Sequence, residues 1–273
     1  MGLINGDDGL IADEVGFWTK EKHSYLKRYL DISRATRKKF IGDRKGGAVY
    51  FDVFCGTGRS QIRGSGEWID GGAVAAWKTS LEGGAPFSDI YISDLDHARL
   101  DACSTRLRKL GAPVHPIHAS AADAAETMVS AVSGYALHFA FVDPYNLEAL
   151  DFRVIQAMSR LKRIDLVIHL SAMDLQRNLA INLATDDSAF DAFAPDWRDN
   201  VNTTGSQLEV RRRVVEYWRE LVAKLGVWPS IDQRLITGKK RQPLYWLLLA
   251  ARHDLAHKFW ETAANVEGQG KLF

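Results

Sequence analysis

Two glycines and a carboxylate surround the end of one apolar stretch of the chain. The stretch runs from Val49 to Phe54, contains Asp52, and is followed by Gly56 and Gly58. A short run of β-branched and aromatic residues is typical of a buried strand in a parallel sheet. Glycine directly after such a strand lets the backbone turn at positive φ and approach a ligand closely. Because open α/β sheets bind ligands at the carboxyl ends of their strands, this turn is a candidate ligand-binding loop.

Two further apolar stretches end in polar residues that would complete such a site. The stretch from Ile90 to Ser93 leads into Asp94-Leu95-Asp96, and the stretch from Leu137 to Val142 leads into Asp143-Pro144-Tyr145-Asn146. Since the carboxyl ends of parallel strands meet at one edge of a sheet, we expect these acids to lie near the glycines. The alternative interpretation is a set of strand-end turns whose aspartates cap the following helices.

Strand-like and helix-like segments alternate along the chain as far as Leu170. This alternation predicts a parallel, doubly wound α/β sheet, and two late strands around the turn Thr237 to Arg241 predict an antiparallel hairpin that closes it. The predicted strands are Val49 to Phe54, Ile90 to Ser93, Val114 to Ile117, Leu137 to Val142, Leu166 to Leu170, Ile231 to Ile236 and Leu244 to Ala251. The predicted helices are Phe17 to Phe40, Ala73 to Leu81, His97 to Leu110, Ala121 to Val132, Phe152 to Leu161, Asp174 to Leu183, Ser188 to Phe193, Gln207 to Leu225 and Asp254 to Ala264. No element is predicted for the polar start of the chain or for the polar insertion Gln61 to Gly72.

The composition is that of an ordinary globular protein. The chain has 273 residues, of which 46% are hydrophobic and 25% charged, and this fits one α/β domain with insertions. Its net charge of +1 indicates no general affinity for nucleic acid or membranes, so any basic surface must be local. Cys55 and Cys103 have neither disulfide-type nor zinc-type spacing, which favours a reducing cytoplasm. We expect no signal peptide, and no segment has the ~18 apolar residues that a membrane span requires.

The segment from Leu175 to Leu225 is much longer than a crossover between neighbouring strands requires. It is rich in Trp and aliphatic residues, so we expect a folded helical cap rather than a disordered loop. Because it leaves the sheet at the carboxyl end of the fifth strand, we expect this cap beside Asp143. In this arrangement Arg177 points toward the pocket and Arg211 lies on its rim, as contacts to a substrate or a partner.

Five parallel strands followed by an antiparallel hairpin resemble the fold of class I S-adenosylmethionine (SAM) methyltransferases. In that fold a glycine loop after the first strand lies under the methionine part of the cofactor, and an acid after the second strand binds the ribose hydroxyls. The resemblance assigns Asp94 to the ribose, with Asp96 as the alternative. A nicotinamide-binding Rossmann domain is the weaker interpretation, because Ser60 and Gln61 follow where the third glycine of its fingerprint would stand. The residues that the resemblance places around SAM are Asp52, Phe54, Gly56, Thr57, Gly58, Asp94 and Leu95.

The four residues Asp143-Pro144-Tyr145-Asn146 resemble the Asp-Pro-Pro-Tyr motif of methyltransferases that act on the amino group of adenine, with one proline absent. By this resemblance, Asp143 and the carbonyl of Pro144 accept hydrogen bonds from the target nitrogen, whose lone pair attacks the sulfonium methyl group. Tyr145 stacks on the planar substrate, and Asn146 lies beside them as a contact to a substrate or a partner. A polar strand end followed by a proline turn is the structural alternative.

A wider resemblance starts from the segment Asp52-Val53-Phe54-Cys55-Gly56-Thr57-Gly58, which is similar to the signature of the three-Cys-motif partner proteins (TcmP-like). Counterparts of the rest of that pattern extend over most of the chain, from Trp18 to Trp260. The family is similar to SAM-dependent methyltransferases and is usually found beside a radical-SAM-like protein that carries a three-cysteine motif. The resemblance implies two hypotheses. The protein is either a methyltransferase acting on a nucleobase or other amine nitrogen, or a catalytically silent protein that docks such a partner.

Two basic runs, Arg211-Arg212-Arg213 and Lys239-Lys240-Arg241, are the only indication of nucleic acid in the sequence. Such runs are usually solvated, and these would bind phosphates only if they lie near the open ends of the strands. Four histidines fall in or beside separate predicted strands: His115, His118, His138 and His169. Their spacing is not that of metal ligands, so we interpret them as core or edge residues and predict no metal site.

Overall fold

Two β-sheets form the framework of the computed structural model, which describes residues 2–265. The strands are β1 (Leu3–Asn5), β2 (Ile11–Val15), β3 (Ala48–Asp52), β4 (Arg59–Ile62), β5 (Trp68–Asp70), β6 (Asp89–Asp94), β7 (Val114–His118), β8 (Leu137–Val142), β9 (Ile164–Ser171), β10 (Trp228–Thr237) and β11 (Pro243–Ala251). The helices are α1 (Trp18–Ile32), α2 (Arg34–Lys38), α3 (Gly72–Glu82), α4 (His97–Lys109), α5 (Ala121–Ala131), α6 (Phe152–Met158), α7 (Ala172–Arg177), α8 (Leu179–Ala184), α9 (Ala189–Phe193), α10 (Trp197–Asn200), α11 (Gln207–Lys224) and α12 (Asp254–Ala264). Within residues 2–265, each helix is too short or too polar to span a bilayer.

The larger sheet has seven strands in the order β10-β11-β9-β8-β3-β6-β7. Strands β7, β6, β3, β8 and β9 are parallel, and β11 runs antiparallel to both β9 and β10. The predicted fold class, a mostly parallel α/β sheet with a C-terminal antiparallel hairpin, is therefore confirmed. In this sheet Asp52 at the end of β3 is paired with Ile92 of β6 on one side and Phe141 of β8 on the other. The carboxyl ends of these three strands consequently lie side by side.

Helices cover both faces of the larger sheet. Successive residues of β3 belong to opposite cores, since Phe51 packs with α5, α6 and α11 while Tyr50 packs with α1, α3, α4 and α12. Because both faces are buried, β3 and β8 are almost continuously apolar, as the sequence indicated. β3 nevertheless ends at Asp52 and does not reach Phe54, because the Asp52 side chain accepts the Phe54 N–H at 3.1 Å. A side chain that takes a backbone donor in this way ends a strand ladder.

The helix predicted from Phe17 to Phe40 consists of two helices, α1 and α2, which are separated at Ser33. The Ser33 hydroxyl donates to the carbonyl of Leu30 at 3.4 Å, a local bond of the kind that favours helix ends. In α1, Tyr25 and Leu26 are buried together with Tyr29 and Leu30.

The second sheet consists of four strands in the order β1-β2-β4-β5, built from the two stretches for which no element was predicted. Parallel pairing sets Asp13 of β2 opposite Ser60 of β4, and antiparallel pairing sets Arg59 of β4 opposite Asp70 of β5. Arg59 forms ion pairs with Asp7 at 2.6 Å and with Asp70 at 3.0 Å. These strands are only three to five residues long, so any period-two pattern in them was too short to indicate strands.

The long segment between β9 and β10 is helical, as predicted, and forms α7 to α11. The predicted helix Asp174 to Leu183 is divided at Asn178 into α7 and α8. The segment's large apolar side chains join the core that covers one face of the larger sheet: Phe190, Phe193, Trp197, Val214 and Trp218. The segment therefore covers a face of the sheet, and its first helix also contacts the turn after Asp143, because Asp174 Oδ2 accepts the Leu147 N–H at 2.9 Å.

Candidate functional site

A cavity of about 960 Å³ opens at the carboxyl edge of the larger sheet. Its volume lies in the upper part of the ~300–1,000 Å³ range of typical ligand sites. Residues at the ends of β3, β6 and β8 line it, together with residues of α1 and of the smaller sheet. The predicted site residues on its wall are Asp52, Phe54, Gly56, Gly58, Asp94, Leu95, Asp143 and Tyr145. The predicted site residues that do not line it are Thr57, Pro144, Asn146, Arg177 and Arg211.

The glycine loop has the positive φ angles that its sequence predicts. Gly56 has φ 56° and Gly58 has φ 77°, a region that other residues rarely adopt. A Cβ at Gly58 would lie 3.0 Å from Sγ and 3.2 Å from Cα of Cys103, because α4 packs directly against the loop. On the opposite side, a Cβ at Gly71 would lie 2.8 Å from the Gly58 Cα. The loop is thus held closely between two elements while both of its glycines line the cavity.

Asp13 of β2 anchors this loop from the smaller sheet. One of its carboxylate oxygens accepts hydrogen bonds from the backbone N–H of Thr57 at 3.1 Å and from the Thr57 hydroxyl at 2.9 Å. The other oxygen pairs with Arg99, and Arg106 donates to the Thr57 carbonyl at 2.6 Å. Thr57 is buried and holds the shape of the loop. The sequence analysis missed Asp13, since a single acid in a short strand gives no signal of a contact with a loop far along the chain.

The two acids at the end of β6 have different partners. Asp94 accepts one hydrogen bond on each carboxylate oxygen, from the backbone N–H of Gly56 at 3.0 Å and of Asp96 at 2.9 Å. Burial raises the pKa of Asp94. Asp96 is the N-cap of α4, where its side chain accepts from the N–H groups of Ala98 and Arg99. The capping alternative therefore applies to Asp96, whereas Asp94 retains further acceptor positions at the cavity wall.

Asp52 is a buried carboxyl without a cationic partner among its hydrogen-bond donors in the described part of the chain. It is 2% exposed and accepts from the Phe54 N–H at 3.1 Å and the Tyr50 hydroxyl at 3.3 Å. Burial, assisted by the charge of Asp143, raises the pKa of Asp52 to about 7. A cation bound in the cavity would stabilise the ionised form of this carboxyl.

Asp143, by contrast, is neutralised within the protein. Lys22 Nζ donates to both of its carboxylate oxygens, at 2.7 Å and 2.6 Å, and His169 Nδ1 donates to Oδ1 at 2.8 Å. These partners hold the pKa of Asp143 well below its usual value although its burial acts in the opposite direction. Of the roughly four acceptor positions of a carboxylate, three are occupied, and the remaining one is on Oδ2. Asp143 therefore lines the cavity with one acceptor position left for a ligand.

Neither partner of Asp143 was identified as a site residue from the sequence. Lys22 is 121 residues away from Asp143 along the chain and lies within the predicted helix Phe17 to Phe40. His169, interpreted as a core or edge histidine, is buried as expected but also belongs to this cluster. Tyr245 at the start of β11 packs on it, with the two ring centroids 4.0 Å apart, and Lys22 Nζ lies 5.5 Å from the Tyr245 ring.

His23 is a further wall residue that the sequence analysis missed. It is buried, and burial together with the charge of Lys22 lowers its pKa to about 4, so the imidazole is neutral near pH 7. Its Nδ1 has no hydrogen-bond partner within residues 2–265. In the same part of the chain, no group of three or more His, Cys, Asp and Glu side chains is placed to hold a metal ion.

The residues after Asp143 divide between the cavity and the fold. Tyr145 is 71% exposed and lines the cavity, so its ring is accessible to a ligand. Pro144 is buried. Asn146 accepts the backbone N–H of Ala149 on Oδ1 at 2.8 Å and thereby stabilises the turn that follows.

Arg177, predicted to point toward the pocket, and Arg211, predicted to lie on its rim, do not line the cavity. Arg177 is exposed at the end of α7, and Arg211 donates to the carbonyl of Gln207 in its own helix at 3.2 Å. The helices that carry them pack on the sheet through their apolar faces, and this packing leaves both arginines away from the cavity wall.

Comparison with known proteins gives similarity at the level of the fold. No family model and no curated protein matches the chain. Protein LPL1258 from Legionella pneumophila has a TM-score of 0.50 at 11% identity, over 92% of this chain and 93% of that chain. The N-methyltransferase NodS from Bradyrhizobium japonicum, in complex with S-adenosyl-L-homocysteine, has a TM-score of 0.44 at 9% identity, over 86% and 88%. Cofactor-bound Rv0187 from MTB has a TM-score of 0.45 at 14% identity, over 84% and 80%.

Proposed function

We propose that the protein is a SAM-dependent methyltransferase that acts on an amine nitrogen of a planar substrate. The observation that carries this proposal is the meeting of three strand ends in one cavity. There, the glycine loop and two carboxyls with raised pKa values adjoin Asp143 and the exposed Tyr145. When bound, SAM supplies a methyl group on a positively charged sulfur.

The residues present fit such a cofactor. The glycines leave backbone exposed where a side chain would collide with α4, so a ligand can approach the loop closely. Asp94 has free acceptor positions for ribose hydroxyls, because its two backbone donors use one position on each oxygen. Asp52 provides negative charge that lacks a cationic partner among its hydrogen-bond donors, which favours a ligand with a sulfonium and an ammonium group.

The acceptor side of the cavity is arranged to orient an amine. Because Lys22 and His169 keep Asp143 ionised, this carboxylate accepts hydrogen bonds and does not take up a proton near neutral pH. Its remaining acceptor position on Oδ2 would orient one N–H of the substrate, and Tyr145 would stack on the substrate ring. His23, whose imidazole is neutral near pH 7, lies on the same wall as Asp143 and Tyr145.

A second candidate function is a catalytically silent protein that docks a partner. One observation favours it. Lys22 and His169 already occupy most acceptor positions of Asp143, so fewer remain for a substrate. The resemblance to three-Cys-motif partner proteins indicates the partner, a radical-SAM-like protein with three cysteines.

Calorimetric titration with S-adenosylhomocysteine tests the cofactor site. We expect the wild-type protein to bind, and Asp94→Ala to weaken binding about 10- to 100-fold, since hydrogen bonds to a charged group contribute ~1.5–3 kcal/mol. Asp96→Ala removes the neighbouring cap of α4 and serves as the matched control, with affinity changed by less than a few-fold. Absence of wild-type binding at millimolar ligand would contradict the proposal.

Transfer of a labelled methyl group to DNA, RNA and lysate protein then separates the two candidates. A methyltransferase should label one of these classes, and Tyr145→Ala should reduce the labelling while leaving cofactor affinity unchanged. Cofactor binding without transfer to any class would favour the silent docking protein.

A further inference from the structure

The hairpin between β10 and β11 extends beyond the edge of the sheet on which the cavity opens. Tyr245 of β11 is paired with Ser171, the last residue of β9, in an antiparallel register. Residues 238–242, which precede Tyr245 and form the tip of the hairpin, therefore lie past the carboxyl end of β9. The cavity lies at the carboxyl ends of the strands next to β9, so the hairpin tip and the cavity share one side of the molecule.

The tip has a defined shape and presents three positive charges. Its turn is closed by hydrogen bonds from the Gly238 N–H to the Gln242 carbonyl and from the Arg241 N–H to the Gly238 carbonyl, both 2.9 Å long. The Lys240 N–H donates to Oε1 of Gln242 at 3.0 Å. Lys239, Lys240 and Arg241 are exposed, and within residues 2–265 none of them forms an ion pair.

The base of the hairpin is part of the acceptor side of the cavity. Tyr245 packs on His169, which donates to Asp143, and its hydroxyl donates to the carbonyl of Trp18 at 3.3 Å. Trp18 begins α1, the helix that carries Lys22. The hairpin is thus connected through direct contacts to the residues that surround Asp143.

Aromatic side chains accompany the positive charges on this side of the molecule. Lys239 Nζ lies 5.9 Å from the centre of the Phe17 ring, which is 36% exposed and directly precedes α1. Tyr145 is exposed on the cavity wall. Cationic side chains that follow a phosphate backbone, together with aromatic rings on which bases stack, are the combination by which proteins bind single-stranded nucleic acid.

The second basic run of the sequence does not contribute in the same way. Arg212 pairs with Glu216, and Arg213 donates to the backbone carbonyls of Asn202 and Thr204 at 2.8 Å and 2.6 Å. These charges are engaged in the local structure of α11. The hairpin tip is therefore the basic run that remains available to a ligand.

We infer that Lys239, Lys240 and Arg241 bind the phosphodiester backbone of a single-stranded nucleic acid from which one base enters the cavity. This inference rests on the proposed function, because it supplies the planar amine as an unpaired nucleobase. The acidic cavity wall suits a cationic cofactor, and the basic tip suits a polyanion, so the two ligands meet surfaces of opposite charge. RNA and DNA share the phosphate chemistry, and the experiment distinguishes them.

Fluorescence anisotropy with labelled 20-nucleotide single strands of RNA and of DNA, identical in sequence, tests the inference across a range of salt concentrations. The test variant carries Lys239→Gln, Lys240→Gln and Arg241→Gln. The matched control carries Lys38→Gln, Lys39→Gln and Lys45→Gln, which remove three exposed charges near the opposite, amino-terminal edge of the sheet. S-adenosylhomocysteine affinity and melting temperature are measured on all three proteins.

We expect the hairpin variant to bind at least one of the two single strands about 100-fold more weakly than wild type at ~0.1 M salt, because each lost phosphate contact reduces the salt slope by ~0.7. The control variant should stay within a few-fold of wild type, and cofactor affinity should be unchanged in both. Equal losses in the two variants, or an unchanged salt slope in the hairpin variant, would overturn the inference. Failure of the wild-type protein to bind cofactor would instead overturn the proposed function, and the two failures are thereby distinguished.

Discussion

Two carboxylate regions at the same edge of the sheet differ in their charge balance. At the ends of β3 and β6, Asp52 and Asp94 accept hydrogen bonds from uncharged donors, and burial raises the pKa of each. At the end of β8, Asp143 is paired with Lys22 and His169 and has a lowered pKa. The same type of residue at three adjacent strand ends thus acquires opposite properties, because α1 delivers its cation to the last of them. The first region can accept a cation from outside, whereas the second already contains one.

Removal of the internal cation should have the largest effect. Lys22→Met would leave Asp143 as a buried charge with only His169 beside it, which we expect to lower the free energy of unfolding by about 3–5 kcal/mol near pH 7. Because the pKa of Asp143 is lowered in the folded protein, the ion pair contributes above pH ~4, and the difference from wild type should shrink as the pH falls further.

Urea unfolding of the double variant Lys22→Met with Asp143→Asn provides the control. With both charges removed, most of the lost stability should return. Equal destabilisation of the single and double variants would show that Lys22 acts through packing and not through its charge.

The opposite change is expected in the first region, where Asp52→Asn should stabilise the protein. The pKa of Asp52 rises from 3.8 to about 7 on folding, so the folded state retains a proton that the unfolded chain has lost. Stability is therefore lost as the pH rises from ~4 to ~7, by an upper bound of about 4 kcal/mol. The amide can still accept the Phe54 N–H and can donate to the Tyr50 hydroxyl.

Thermal unfolding of wild type and Asp52→Asn at several pH values measures this effect. The variant should be more stable at about pH 8 and indistinguishable near pH 4. A variant that is less stable than wild type at every pH would contradict the assignment of an uncompensated carboxyl.

Removal of the Asp13 carboxylate, which anchors the glycine loop, should have a smaller effect, and we expect it mainly in the affinity for the cofactor. Asp13→Asn removes the ion pair with Arg99 and leaves one oxygen for the two donors of Thr57, so we expect cofactor affinity to fall about tenfold. Asp70→Asn breaks ion pairs in the same small sheet without touching the loop and is the matched control. A tenfold loss in both variants would indicate that the small sheet as a whole, and not the Asp13 anchor, determines affinity.

The part of the site that could be predicted from the sequence is the part that is local in the chain. Apolar runs that end in glycine or aspartate placed Asp52, Gly58 and Asp94 at one edge, because parallel strands order their carboxyl ends alike. Lys22 and Asp13 could not be found in this way. Each reaches its partner from a distant segment, and a charged residue within an amphipathic helix or a short strand does not differ from a solvated one.

The dependence on contacts between distant segments also explains why the smaller sheet was not predicted and why the packing surface of the cap was not predicted correctly. The smaller sheet is held by ion pairs such as Arg59 with Asp7, and its strands are too short for an apolar period to be recognised. The cap was predicted beside Asp143, with Arg177 pointing toward the pocket, because of its length and its starting point. Its Trp and Phe residues instead cover a face of the sheet, and composition alone does not say which apolar surface a helix will meet.

The most direct test of the central claim is the affinity for SAM measured by calorimetry between about pH 6 and about pH 8. If the cation of the ligand is stabilised by the ionised Asp52, the affinity of the wild-type protein should rise roughly tenfold over this range, as a carboxyl with a pKa of about 7 loses its proton. In Asp52→Asn the affinity should be weaker and independent of pH in the same range. Absence of SAM binding, or a pH dependence that persists unchanged in Asp52→Asn, would contradict the account in which Asp52 lacks a cationic hydrogen-bond partner within the protein and binds the cation of the ligand.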